Sequence, residues 1–284
     1  MNFQKLFCDK QFNKKLLLLV LPIVLQNLMV ALVGAADTFM LCRYSQDAMA
    51  AVALATQVQF IQGLVSGALL GGLGIMGAQY WGKRDLTAME KLLALGIRTN
   101  IYLSVISFSG CFFAPEFLMK LYTSDQHLIS MGTDYLRIIS FSFLLYNVAR
   151  CYVSIMRVSG HVRSSVAVNI TTVLLNVIFN AVFIFGLFGA PAWGIKGAAF
   201  ATFLAGLIEL LVVIYLSFRR NYITLHFNRL FSFDKGLILD YWRYTLPMIG
   251  STLLWGIGFT TYTAVIGHLG KDAAAANAVA GKRD

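Results

Sequence analysis

The chain has 284 residues, of which 58% are hydrophobic and only 13% are charged, and its mean hydropathy is +0.71. Soluble domains carry roughly 25% charged residues, so this composition excludes an ordinary soluble globular protein. The formal net charge of +10 would suit a nucleic-acid-binding protein. However, the basic residues lie in short segments between apolar runs, as topology signals do in membrane proteins. We therefore expect the lipid bilayer as a partner, and no nucleic acid.

Seven apolar runs follow one another along the chain, and an eighth begins near Ala273. Each complete run is long enough to cross the hydrocarbon core as a helix, which needs about 20 residues. None shows the alternation of polar and apolar residues that is typical of a membrane β-barrel. The sequence therefore predicts an all-α polytopic membrane protein. The runs cover residues 16–42, 48–80, 92–114, 133–156, 165–188, 197–218 and 246–267.

Basic residues indicate the orientation of these spans. If the N-terminus is cytoplasmic, fourteen Lys and Arg residues fall on the inner side and four on the outer side. Cytoplasmic loops are enriched in Lys and Arg, so we expect a cytoplasmic N-terminus. The inner residues are Lys5, Lys10, Lys14, Lys15, Lys83, Arg84, Lys91, Arg157, Arg163, Arg219, Arg220, Arg229, Lys235 and Arg243. The outer residues are Arg43, Lys120, Lys196 and Lys271.

An internal repeat begins after the charged, aromatic segment 219–245, which suits an interfacial helix on the cytoplasmic surface. Leu21-Pro22 returns as Leu246-Pro247, and residues 45–55 return as 270–280, both at an offset of 225 residues. A chance likeness between Ala-rich helices is the alternative. Six-span repeats joined by a linker are a common plan for transporters, with the substrate site between the halves.

This repeat divides the chain into three parts. Residues 1–218 are expected to form a six-helix N-terminal lobe, 219–245 a cytoplasmic linker, and 246–284 the beginning of a C-terminal lobe. Because the second copy stops early, we expect the chain to be truncated and the complete protein to have twelve spans.

Two acidic residues lie inside predicted spans. A carboxylate at that depth costs about 2.5–3.5 kcal/mol or more unless it faces protein or water, so it indicates function by default. Asp37 lies in the first span, although it is only six residues before Arg43 and could reach the outer interface. Glu209 lies in the sixth span, where it is either functional or paired structurally with Arg150 of the fourth span.

The fifth predicted span carries several polar residues, including Asn176 and Asn180, which lie four apart and share one helix face. Two amides on one face can coordinate a cation or hydrogen-bond to a carboxylate. They can also join helices together, and the spacing alone favours this second interpretation.

Catalytic and metal-binding motifs are absent from the sequence. It has no His-Glu-x-x-His, no phosphate-binding loop and no Gly-x-Ser-x-Gly. Its four cysteines are far apart and form no Cys-x-x-Cys pair, so neither a metal site nor a disulfide framework is expected. We therefore expect no enzyme and no cofactor, and any uphill transport must use an ion gradient.

Three segments together resemble the MATE (multidrug and toxic compound extrusion) family, most of all its bacterial DinF-like branch. LPIVLQNLMVALVGAADTFMLCRYSQDAMAAVALATQ (21–57) is similar to the family's first span and outer loop. MRVSGHVRSS (156–165) resembles the loop after the fourth span. LLNVIFNAVFIFGLFGAPAWGIKGAAFAT (174–202) resembles the fifth and sixth spans and is the most specific part. The resemblance extends over essentially the whole chain.

This resemblance implies a twelve-helix antiporter whose two lobes form a V-shaped cavity. It would export cationic amphipathic compounds in exchange for Na⁺ or H⁺, and it would need the C-terminal lobe. The family's cation site in the N-terminal lobe maps to Asp37, Asn176, Asn180, Ala198 and Thr202. The family often has an acid where this chain has Asn180, which leaves a single carboxylate and makes Na⁺ binding less certain.

Other function classes are weaker. A lipid-linked oligosaccharide flippase of the same superfamily is the main alternative, but several cationic residues would be expected along its lobe. Only Arg150 lies well inside a predicted span. A membrane enzyme would need a cluster of His, Asp or Ser residues, whereas the histidines lie in unrelated loops and span ends. A structural membrane subunit is the remaining alternative.

Overall fold

The computed structural model describes residues 10–219, 223–224 and 234–268. These residues form helices and connecting turns, without a β-strand. The helices are α1 (Lys10–Tyr44), α2 (Gln46–Gly82), α3 (Leu86–Phe113), α4 (Pro115–Lys120), α5 (Gln126–Val158), α6 (Val162–Phe185), α7 (Ile195–Ser217) and α8 (Lys235–His268). The predicted all-α class is confirmed.

Six of these helices, α1 to α3 and α5 to α7, are long and apolar enough to cross a membrane. They coincide with the first six predicted runs. The seventh run, 246–267, lies within α8, and the eighth lies outside the described residues. Helix α8 begins at Lys235, inside the segment assigned to the linker, and the rest of that segment is largely outside the described part of the chain. The repeated Pro247 lies within α8, but the repeat partner 270–280 is not described.

Side-chain caps start several of the helices. Asp85 and Asp125 accept backbone N–H bonds at the starts of α3 and α5, at 2.9 and 2.8 Å. Ser45 does the same for α2 at 3.4 Å, and Asp234 for α8 at 3.3 Å. The first N–H groups of a helix have no partner within the helix, and an oxygen at the cap satisfies one of them. These caps allow short connections, which place successive helices antiparallel.

Helix α5 is at the centre of the bundle and packs against α2, α3 and α7, while α6 packs between α1 and α7. One buried cluster, which includes Leu73, Met89 and Met156, joins α2, α3 and α5. Tyr241 of α8 is fully buried in the same cluster and donates a hydrogen bond to the Leu69 carbonyl at 2.9 Å. Helix α8 is therefore anchored on α2. Large apolar side chains such as Ile106 face outward, as expected for surfaces in lipid.

Candidate functional site

A cavity of about 850 Å³ opens between α1, α2, α5, α6 and α7. Helix α5 contributes residues that recur every three or four positions, so one face of this helix lines the space. The charged residues among the described lining are two acids and two arginines, namely Asp37, Glu209, Arg150 and Arg157. The volume lies within the range of small-molecule sites, roughly 300–1,000 Å³.

All five predicted cation-site residues lie together beside this cavity. Asn180 Nδ2 donates to Asp37 Oδ1 at 2.7 Å and to Asn176 Oδ1 at 3.2 Å. Asn176 Nδ2 donates to Thr202 Oγ1 at 3.1 Å, and Thr202 Oγ1 donates to the Ala198 carbonyl oxygen at 3.1 Å. A continuous hydrogen-bonded chain thus joins α1, α6 and α7. Both amides are buried, and they lie on one face of α6, as their spacing of four residues predicts.

The connection between α6 and α7 brings the two polar faces together. Gly186 ends α6 with φ of 73°, a left-handed conformation that favours glycine. Gly197 then lets α7 approach α6 closely, because a Cβ at this position would lie 2.3 Å from the Phe183 carbonyl oxygen. This approach places Thr202 within hydrogen-bonding distance of Asn176.

The arrangement at Asp37 suits a carboxylate that exchanges a proton or a monovalent cation. The Asn180 amide donates to Asp37, and such a bond stabilises the ionised carboxylate. The Oδ1 atom of Asn180 is buried and has no hydrogen-bond partner among the described residues. The side-chain oxygens of Asp37, Asn176 and Thr202 lie along the same hydrogen-bonded chain, and oxygens are the ligands that hard cations prefer. The described residues contain no group of three or more His, Cys, Asp or Glu side chains that could hold a metal ion.

Glu209 lies on α7, facing the same cavity. It is only 2% exposed, and its Oε1 atom has no hydrogen-bond partner within the described part of the chain. Arg150 lines the same cavity, and its guanidinium lies 5.6 Å from the centre of the Tyr146 ring. The structure therefore places the predicted partners on one cavity, without an ion pair within 4.0 Å between them.

Several residues that line the cavity were not predicted from the sequence. Arg157 was assigned to the cytoplasmic side, but it also lines the cavity, which therefore has two arginines and not the single one expected. Tyr135 lines it as well, and its hydroxyl accepts a bond from Gln59 Nε2 at 3.2 Å. Arg157 is seven residues after Arg150, and this i, i+7 spacing on one helix face was the signal available.

A buried cluster of hydrogen-bonded polar side chains lies between the helices beside the cavity. Ser66 of α2 donates towards Asn100 Oδ1 and Asn147 Oδ1, at 3.2 and 3.0 Å. Asn147 Nδ2 donates to Ser104 Oγ at 2.7 Å. These residues join α2, α3 and α5. Their positions inside predicted spans could have identified them as helix-joining residues.

The MatE model matches residues 22–182, which is more than half of the chain. Among curated relatives, the uncharacterized transporter YisQ of Bacillus subtilis is 24% identical over 93% of this chain and 58% of its own length. The probable multidrug resistance protein NorM of Thermotoga maritima is 27% identical over 82% of this chain and 48% of its own. The multidrug resistance protein PmpM of Pseudomonas aeruginosa is 30% identical over 66% of this chain and 40% of its own.

Solved structures show the same fold. A MOP superfamily transporter from Pyrococcus furiosus superposes with a TM-score of 0.83 at 20% identity, over 93% of this chain and 58% of its own. That protein is described as having a binding pocket of reverse polarity that suggests a different function. An outward-facing multidrug resistance MATE family transporter superposes with a TM-score of 0.79 at 21% identity, over 87% of this chain and 54% of its own. The chain thus spans between 40% and 58% of the length of these proteins.

Proposed function

This chain belongs to the MatE family of membrane transporters, and on that premise we propose that it exports cationic amphipathic compounds in exchange for H⁺ or Na⁺. The observation that carries the proposal is the hydrogen-bonded chain from Asp37 through Asn180 and Asn176 to Thr202. It places one carboxylate, held by buried amides, on the wall of a cavity large enough for a drug-sized molecule.

Coupling follows from competition for Asp37. In a low-dielectric site a carboxylate favours its neutral form, whereas a bound cation or amide donors favour the ionised form. Proton or cation uptake by Asp37 therefore removes the negative charge that an organic cation would use. Substrate and coupling ion cannot both neutralise the carboxylate, and this exclusion is what antiport requires. The site favours H⁺ over Na⁺ as the coupling ion, because Asn180 adds no second carboxylate to attract Na⁺.

Transport on this scheme needs a cavity that opens alternately to the two sides of the membrane. The described residues supply one wall, and we propose that a second six-helix lobe supplies the other. The names of relatives such as PmpM and NorM, which are multidrug resistance proteins, support drugs as the substrate class. We further propose the bacterial cytoplasmic membrane as the location, with the N-terminus in the cytoplasm.

The alternative function, a flippase for lipid-linked oligosaccharides, is less well supported. A flippase of this kind would need an excess of positive charge along its cavity to bind the pyrophosphate of the lipid. Here Arg150 and Arg157 are matched one for one by Asp37 and Glu209 among the described cavity residues.

Substitution of Asp37 tests the proposed function. In the two-lobed transporter, Asp37→Asn is expected to reduce proton-driven ethidium efflux from proteoliposomes to background while leaving expression unchanged, because Asn cannot release a proton near neutral pH. The matched control is Asp47→Asn, which removes a 63% exposed carboxylate at the start of α2 and should keep the native rate. Native efflux by Asp37→Asn would show that this carboxylate is structural.

A further inference from the structure

A second carboxylate lies on the wall of the cavity, at a different depth from Asp37. Glu209 is seven residues after Thr202 on α7, and both residues line the cavity. They therefore share one face of the helix and are separated by about 10 Å along its axis. Helix α7 ends at Ser217, just before the predicted cytoplasmic linker. Glu209 thus lies closer to the predicted cytoplasmic side than the hydrogen-bonded chain that contains Asp37.

Close packing between α5 and α7 determines the surroundings of Glu209. A Cβ at Gly206 would lie 2.9 Å from the Tyr146 ring, so the glycine allows this ring to lie against α7. Glu209 follows Gly206 by three residues on α7, and Arg150 follows Tyr146 by four residues on α5. Both therefore continue the two facing sides by about one turn. Helix α6 also packs against α7, and its contribution to the described lining is uncharged, namely Asn169, Thr172, Val173 and Asn176.

Glu209 is buried, but it lacks the partners that a structural acid has. Its side chain is 2% exposed, and its Oε1 atom has no hydrogen-bond partner among the described residues. Within that part of the chain it also forms no ion pair within 4.0 Å. A buried charge is normally paired and hydrogen-bonded, because an isolated one is costly. Binding of a proton removes this cost, and the cavity provides a path for water to deliver it.

We infer that Glu209 is a second proton-binding site of this cavity, so that export of one organic cation is coupled to the entry of two protons, one at Asp37 and one at Glu209. A carboxylate oxygen of Glu209 takes a proton from cavity water and forms an O–H bond. It returns that proton to water when the organic cation arrives, and no other bond changes. This inference rests on the proposed function, with H⁺ as the coupling ion, and adds its stoichiometry.

The charges of the cavity lining support the participation of both acids. When Asp37 and Glu209 are ionised, they balance Arg150 and Arg157, and the described lining has no formal charge. When both acids are protonated, the two arginines are left unbalanced and repel an organic cation. Protonation of Asp37 alone would leave one arginine unbalanced. The second acid therefore increases the difference in cation binding between the two protonation states, and exchange depends on that difference.

The gradient at which exchange stops tests the stoichiometry. Ethidium carries one permanent positive charge. The two-lobed transporter is placed in proteoliposomes, the membrane potential is held at zero with K⁺ and valinomycin, and a pH gradient is opposed by increasing ethidium gradients until net flux ends. One pH unit balances about a hundredfold ethidium gradient if two protons are exchanged, and about tenfold if one is. We expect the native protein to balance at about a hundredfold and Glu209→Gln at about tenfold.

Two variants serve as controls. Glu116→Gln removes a 61% exposed carboxylate of α4 and should balance at the native gradient. Glu209→Asp keeps a carboxylate at the same position and should also balance at the native gradient. A merely structural Glu209 would change the transport rate or the yield of folded protein in Glu209→Gln, but it would not change the gradient at which flux ends.

The outcomes distinguish the second proton site from the proposed function. A native balance at about tenfold, an equal balance in the native protein and Glu209→Gln, or a balance set by Na⁺ alone would overturn the second site and leave the proposed function intact. An ethidium gradient that neither H⁺ nor Na⁺ can oppose would overturn the proposed function itself. If Glu209→Gln does not fold, Asp37→Asn decides. Ethidium binding to this purified variant should still release about one proton into weakly buffered solution, and no release would overturn the second site.

Discussion

At the scale of single residues, Asn180 is the amide that donates directly to Asp37. Its Nδ2 lies between two oxygens, Asp37 Oδ1 and Asn176 Oδ1, where a bound cation would also be placed. Its own Oδ1 is buried without a partner among the described residues. Rotation of the amide would remove the donor from this position and present an oxygen instead. On the proposed function, the same side chain would contact Asp37 as a donor in the empty site and offer an oxygen to a bound cation.

A carboxylate at this position should change the ion preference. Asn180→Asp replaces the amide donor with a second negative charge beside Asp37, which increases the attraction for Na⁺. We expect Na⁺ to raise the variant's melting temperature relative to choline, with an apparent affinity at least about tenfold higher than the native protein's, or ~1.4 kcal/mol.

The control for this prediction is Asn169→Asp. Asn169 also lines the cavity from α6, but its amide bonds to the Ser165 carbonyl of its own helix at 2.9 Å. The added charge is the same, so the Na⁺ response should stay at the native level. A similar response in both variants would mean that general charge, and not the site at Asp37, determines Na⁺ binding.

The residues of the candidate site were predictable to different degrees. Composition and span depth alone selected Asp37 and Glu209, because acids are costly in a membrane. The spacing of Asn176 and Asn180 was compatible both with a cation site and with helix packing. The roles of Ala198 and Thr202 were predicted only from a family resemblance. Their proximity in space depends on the turn at Gly186 and the close approach at Gly197, which hydropathy does not encode. Arg157 was missed because a basic residue at a span end predicts topology equally well.

At the scale of helices, the apolar runs predicted the position of every described span but not the residues at which each helix begins and ends. Helix α3 begins at Leu86 and not at residue 92, since Asp85 caps it before the apolar part starts. Helix α8 likewise begins at Lys235 behind Asp234. Polar first turns lie outside the hydrocarbon, so hydropathy does not register them. Capping residues are the signal that marks these ends.

Packing between α6 and α7 should depend on Gly197. Gly197→Ala adds a Cβ 2.3 Å from the Phe183 carbonyl oxygen, and backbone cannot move aside as a flexible side chain can. We expect a loss of about 1–3 kcal/mol in unfolding free energy, as for other overpacked interiors, measured by SDS denaturation in mixed micelles. Displacement of α7 should also separate Thr202 from Asn176.

Gly67→Ala is the matched control, since nothing lies within 4 Å of a Cβ added there. Alanine in a helix interior is favoured over glycine by roughly 0.5–1 kcal/mol, so this variant should be unchanged or slightly more stable. Equal stability of the two variants would contradict the close contact at Gly197.

At the scale of the whole molecule, an ion pair ties the six-helix bundle to the start of α8. Lys91 Nζ lies 3.1 Å from Asp234 Oδ2, with the side chains 32% and 45% exposed. The hydrogen bond from Lys91, and then the backbone N–H of Leu237, hold the pKa of Asp234 below its ordinary value of 3.8. Because both side chains are partly solvated, the contribution to stability is small.

The lowered pKa sets the pH range of this contribution. The stabilisation by the ion pair is present in full at pH values above the ordinary pKa of Asp234. It is lost as the pH falls through the lowered pKa that Asp234 has in the folded protein. Asp234→Asn should therefore melt slightly below the native protein at pH 7, and the difference should vanish at strongly acidic pH. Lys91→Gln should lower the melting temperature by a similar amount at pH 7. The double variant should melt little below either single variant, because both remove the same ion pair. Additive losses would show that the two residues act independently.

The charged loops lie in two groups, one at each end of the helix bundle. Lys91 meets Asp234 at one end, whereas Lys196 meets Asp134 at 3.1 Å at the other. Lys83 follows the end of α2, on the same side as Lys91. The excess of basic residues at that end predicts that it is cytoplasmic.

Cysteine labelling in whole cells checks this orientation. In a chain whose four native cysteines are replaced, an impermeant maleimide should label Lys196→Cys directly, and Lys83→Cys only after the cells are permeabilised. Lys120→Cys in α4 and Arg163→Cys in α6 provide a second outer and inner pair. The reverse pattern would invert the bundle and place the N-terminus outside the cell, against the distribution of basic residues.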